Sequence, residues 1–105
     1  MKAVFIYVTA PSEDVARLIA DRLVSEKLAA CANILPGMTS VYRWQGEIEQ
    51  SKETVLILKT RADLFASVEQ RIKKLHPYDA PCIVALPIEM AHVPFLKWLE
   101  HETSD

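Results

Sequence analysis

Apolar residues recur along this chain at two spacings, and the switches between them mark its elements. Ala3-Val4-Phe5-Ile6-Tyr7-Val8-Thr9 is a β-branched and aromatic run that predicts a strand over residues 3–9. Pro11 and Ser12 end it, with Ser12 placed to cap a helix whose first acids, Glu13 and Asp14, suit the positive end of the helix dipole. Val15, Leu18, Ile19 and Leu23 follow at helical spacing, and Asp14, Arg17, Asp21 and Arg22 fall mostly on other faces. A second strand is predicted through Asn33-Ile34-Leu35, interrupted or bent at Pro36-Gly37 and resumed over residues 39–45. Gly46 lies near a hairpin turn, and the third strand rises through Thr54-Val55-Leu56-Ile57-Leu58-Lys59. Glu47, Glu49, Lys52 and Glu53 predict an exposed, protruding half of this ribbon.

A second helix is predicted from Ala62 to Leu75, on a stripe of Leu64, Phe65, Val68, Ile72 and Leu75. His76-Pro77-Tyr78-Asp79-Ala80-Pro81 reads as a loop and Cys82–Pro87 as the last core strand. Val93, Phe95, Leu96 and Leu99 support a short terminal helix, and the tail Glu102–Asp105 is expected to fray. The order β-α-β-β-α-β predicts an α+β fold, a ferredoxin-like βαββαβ sandwich with a short C-terminal helix, as a single domain over residues 1–105.

Strand parity carries a further inference. Val4, Ile6 and Val8 share one face of the first strand; Ala3, Phe5 and Tyr7 share the other. Helices cover only one face of a two-layer sandwich, yet both faces here are apolar, and Val55 and Ile57 against Leu56 and Leu58 repeat the pattern. Burying each large side chain is worth roughly 1.5–3 kcal/mol, so another subunit is expected to cover the second face. In this fold the second and fourth strands lie at opposite sheet edges. Three strand spacings of about 4.8 Å then separate Cys31 from Cys82, beyond the reach of a disulfide within one chain.

Charge narrows the function classes. Twelve Lys+Arg against 14 Asp+Glu give a net charge of −2, without the concentrated basic patch that nucleic-acid binding needs. No run is long and apolar enough to span a membrane, and Lys2 through Ala10 is too short for a signal peptide before the capped helix begins. The expectation is an unprocessed, cytoplasmic protein. Two cysteines in apolar segments are too few for a secreted disulfide scaffold and lack the paired spacing of a zinc site.

Catalytic signatures are missing from the sequence: two isolated glycines make no phosphate loop, and there is no HExxH helix. Cys82 with His76 remains open as a nucleophilic pair, though neither carries a surrounding motif. His76-Pro77-Tyr78-Asp79 sets an imidazole, a phenol and a carboxylate on a stiff turn. It reads either as a metal-binding group or as His76 meeting the helix-end carbonyls while Tyr78 packs. Tyr42 and Trp44 share one strand face, for subunit packing or for a pocket in which Lys59 meets an anion. His92 and His101 read as solvent-facing.

Thr9-Ala10-Pro11, Leu28-Ala29-Ala30-Cys31-Ala32-Asn33, Tyr42-Arg43-Trp44-Gln45-Gly46, Leu58-Lys59-Thr60 and His76-Pro77-Tyr78-Asp79-Ala80-Pro81 together resemble the CutA divalent-cation-tolerance family, in order and over nearly the whole chain. The resemblance implies a noncatalytic homotrimer, similar in fold and assembly to PII signalling proteins, associated with tolerance to copper and other divalent cations. It implies no required cofactor, with a divalent cation such as copper bound weakly if at all. Metal-binding members use a cysteine before Thr-Ala-Pro and a histidine pair before Pro-Tyr; Val8 and Leu75-His76 stand at those positions, so His76 alone carries over as a metal ligand. Two alternatives stay open. One is a PII-like regulator holding a small anionic effector in intersubunit clefts near Tyr42, Trp44, Lys59 and Tyr78; the other is an interaction scaffold without a ligand.

Overall fold

In the computed structural model, which describes residues 1–104, the chain folds as β1 (Ala3–Ala10), α1 (Glu13–Ser25), β2 (Cys31–Trp44), β3 (Glu47–Arg61), a 3₁₀ turn (Ala62–Leu64), α2 (Phe65–Leu75), β4 (Ile83–Pro87) and α3 (Val93–Glu102). The four strands form one antiparallel sheet in the order β2-β3-β1-β4, the expected split βαβ arrangement. Both cysteines are free, Cys31 on one edge strand and Cys82 just before the other.

Local chemistry sets the boundaries. The Ser12 hydroxyl accepts the Val15 amide at 3.2 Å, closing the first turn of α1. Gln45 and Gly46, at φ 50° and 84°, make the two-residue turn between β2 and β3 that a right-twisted hairpin favours. Pro36-Gly37 bends β2 without ending it. The register passes from Leu35–Val55 to Met38–Glu53, so two residues bulge opposite Thr54, with Gly37 at φ 83°. The strand is therefore continuous, and the ribbon beyond the bulge makes the molecule 45 Å long against 26 and 22 Å in its other dimensions.

The core fills the space between one sheet face and the first two helices. Ile6, Val8, Leu56 and Leu58 from the sheet meet Ile19 and Leu23 of α1 and Val68 and Ile72 of α2, all buried. The second face is partly covered by the chain itself, which the sequence reading did not anticipate. Leu99 of α3, with Phe95 and Leu96, packs beside Ala3 and Ala30, and the Lys59 ammonium lies 5.9 Å above the Phe95 ring. Further along that face Phe5, Tyr7 and Ile57 are half-buried, while Leu35, Val84 and Leu86 stay 54%, 48% and 47% exposed.

The tail also departs from expectation. Thr103 is buried, its hydroxyl donating to the Leu99 carbonyl at 2.8 Å and its carbonyl accepting from Arg61 at 3.1 Å. Residue 103 thus closes α3 rather than fraying; the part of that expectation concerning Asp105 lies outside the described residues. Between the helices, Arg71 of α2 clasps Glu26 after α1 through three hydrogen bonds of 2.8–3.2 Å. That guanidinium holds the Glu26 carboxyl below its ordinary value of 4.5. The clasp therefore stabilises the fold above the ordinary glutamate range and is lost as pH falls through and below it. Glu26→Gln is expected to lower the melting temperature slightly at neutral pH, and the gap from the parent should close in acid. Paired thermal melts across that range check it.

Candidate functional site

Four segments converge where the sheet narrows into the ribbon: the end of β1, the bulged stretch of β2–β3, the approach to β4, and the loop after α2. The loop owes its path to Pro77. A residue preceding proline is driven out of the helical region, and His76 sits at φ −90°, ψ 135°, ending α2. Its amide still donates to the Ile72 carbonyl at 2.8 Å, but its ring turns inward and is only 6% exposed.

Both nitrogens of that ring are engaged. The Tyr78 amide donates to Nδ1 at 3.1 Å, so the ring proton resides on Nε2, which donates to the Thr9 carbonyl at 2.8 Å. His76 thus ties β1 to the loop instead of bonding the carbonyls that end α2. The Tyr78 ring lies tilted at 57° on the imidazole with centroids 4.6 Å apart.

Tyr78 also brings in a residue absent from the sequence-based set. Its hydroxyl donates to Glu53 Oε2 at 3.1 Å, and Glu53 is only 9% exposed. The reading of Glu53 as part of an exposed ribbon is corrected here: the residue lies at the sheet end of the ribbon, under a side chain 25 positions later. Parity was the available signal, since Glu53 shares a strand face with Val55 and Ile57. Burial first, and then the Glu53 charge and its hydrogen bond, push the Tyr78 phenol above its ordinary 10.0. Burial and the same charge raise the Cys82 thiol above 9.0. A thiol so held stays protonated at neutral pH, the opposite of an activated nucleophile. With His76 committed to Thr9 and Tyr78, the structure does not assemble a Cys82–His76 pair.

The remaining predicted residues separate into two places. Tyr42 and Trp44 stand on the ribbon opposite Glu49 and Glu47, both exposed. Tyr42 is near enough to raise the Tyr78 phenol further. Lys59 pairs with Cys31 at the far end of β3 and lies against α3. Ten strand residues, about 33 Å, divide Lys59 from the Tyr42 level, so one chain does not bring Tyr42 and Lys59 together. Val8, at the position of the family's cysteine, is fully buried in the core beneath the helices. Among the described residues no three His, Cys, Asp or Glu side chains gather as a metal-binding group.

Comparison with known proteins places this geometry in a family. Residues 4–102 match the family described as CutA1 divalent ion tolerance protein. The chain belongs to the CutA1 family. It is 51% identical over 98 residues to the divalent-cation tolerance protein CutA of Thermus thermophilus, covering 93% of this chain and 95% of that one. A solved Thermus CutA1 structure superposes with a TM-score of 0.95 at 49% identity, covering 97% of this chain and 99% of that one. Rice CutA1 gives a TM-score of 0.97 at 39% identity over 100% of this chain and 96% of that structure. The chain spans 58% of the longer rice chloroplastic CutA 1 protein, to which it is 40% identical over 103 residues, 98% of this chain. The CutA structure from Archaeoglobus fulgidus, described as a periplasmic divalent cation tolerance protein, superposes at 0.95 with 45% identity over 97% of this chain and 99% of that one.

Proposed function

We propose that this CutA1-family chain is a noncatalytic homotrimer of the cytoplasm that contributes to tolerance of divalent cations, copper among them. The open sheet face is the observation that carries the assembly. Leu35, Val84 and Leu86 are exposed beside half-buried Phe5, Tyr7 and Ile57, and α3 covers only one end of the patch. A contiguous apolar face of this kind marks a protein contact. Among the described residues no helix is long and apolar enough to cross a membrane. Light scattering is expected to report three times the 11.9 kDa chain mass at micromolar concentration; a stable monomer would remove the assembly.

Cation binding fits the ribbon better than binding of an anionic effector. Tyr42 and Trp44 face Glu49 and Glu47, with Glu53 further along the same strand face, and like charges there would repel a small anion. Copper at His76 must replace one of two hydrogen bonds, to Thr9 or to Tyr78, so any binding there is weak. Calorimetric titration with copper, zinc and a panel of anionic metabolites separates the readings. Heat on anion addition alone would favour the effector reading, and silence throughout would favour a ligand-free scaffold.

A further inference from the structure

Glu53 is a buried carboxylate without a counter-charge among the described residues. The ion pairs among the described residues join Arg17 to Glu13, Arg61 to Asp63 and Arg71 to Glu26, none of them at Glu53. Its neighbour Lys52 points to the opposite strand face and donates to Thr39 at 2.8 Å. The Tyr78 phenol is the one donor bonded to it among the described residues, through Oε2. A carboxylate this buried is ordinarily paired, because a single neutral hydrogen bond does not offset the loss of hydration.

The surroundings select the kind of cation. Glu53 shares its face with Met38, its partner across β2, and the face continues outward to Tyr42 opposite Glu49. The nearby Cys82 thiol is held protonated and brings no charge. The carboxylate and the tyrosine that bonds it suit a singly charged organic cation, which gains from both the anion and the ring quadrupole. A divalent ion asks for more oxygen or nitrogen donors than converge here.

We propose that Glu53, bonded by Tyr78 at the sheet end of the ribbon, forms a receptor for an alkylammonium or guanidinium group. That group has two sources, a free amine or a basic side chain of a second copy of this chain. Glu53→Gln separates them, because it keeps the size of the side chain and an acceptor for Tyr78 while removing the charge. In protein carrying ¹³C-labelled tyrosine rings, butylammonium chloride is added with sodium chloride at equal ionic strength as the control. A saturable shift of Tyr78, lost in Glu53→Gln and absent with sodium, assigns the receptor to a free amine. No amine response, with a tenfold or larger rise in the dissociation concentration of the assembly in Glu53→Gln that shrinks at high salt, assigns it to a neighbouring chain. Tyrosine signals and assembly both indifferent to Glu53→Gln and to butylammonium would overturn the proposal. The amine measurement needs no assembly, so it stands even if the chain proves monomeric.

Discussion

Leu86→Asp is expected to convert the assembled protein to monomers while leaving the subunit folded. Leu86 lies on the edge strand β4, pairs with Phe5 of β1, and is 47% exposed in the single chain. Within one subunit the new carboxylate keeps access to water, so the cost there is limited to lost packing and a poorer strand residue. In the proposed trimer the same position is covered by a neighbour. An unpaired carboxylate at a dry contact costs several kcal/mol. At 1.4 kcal/mol per factor of ten, the dissociation concentration should rise by about 100-fold or more. Light scattering over a dilution series, with circular dichroism confirming the fold, gives the readout. Retention of threefold mass would show that the contact lies elsewhere, and loss of folded signal would show that β4 depends on Leu86 within the subunit.

The parts of the fold legible in the sequence are those decided by near neighbours. The Ser12 cap needs only the next turn, and the two-residue turn at Gln45-Gly46 needs only its own dihedrals. The two faces of β1 follow from parity, and the strand order follows from the element order. What was missed depends on residues far apart. The Phe95-Leu96-Leu99 stripe predicts a helix without saying that it lies on the second sheet face beside Ala3 and Ala30. Thr103 looks like a polar tail until Arg61, 42 positions earlier, bonds its carbonyl.

The candidate site shows the same division more sharply. His76 and Tyr78 stood out because the sequence sets an imidazole and a phenol beside a carboxylate on one proline-stiffened turn. Glu53 did not, because Glu47, Glu49 and Lys52 around it describe a solvated ribbon. It is bonded there by Tyr78, whose path depends on Pro77 ending α2 and on the His76 ring holding the loop to β1. The arrangement that bonds the carboxylate is thus assembled from three segments, and no single window of sequence contains it.

That dependence makes His76 the residue whose loss should be felt most widely. His76→Ala is expected to lower unfolding stability by about 2–4 kcal/mol, since a buried ring is lost and the part-buried Thr9 carbonyl and Tyr78 amide each lose a partner. The Tyr78 ring loses its neighbour too, so its hydroxyl should hold Glu53 less firmly. His76→Phe separates packing from bonding: it refills the volume but restores neither hydrogen bond. A loss in His76→Phe close to that in His76→Ala assigns the effect to the tie between β1 and the loop, whereas near-parental stability in His76→Phe assigns it to volume. Denaturant unfolding of the three proteins makes the comparison. Copper titration of the same set tests the ligand role independently. If copper replaces one of the two bonds on the imidazole, both variants should bind it at least tenfold more weakly. Copper affinity unchanged in both would leave His76 as a structural tie alone.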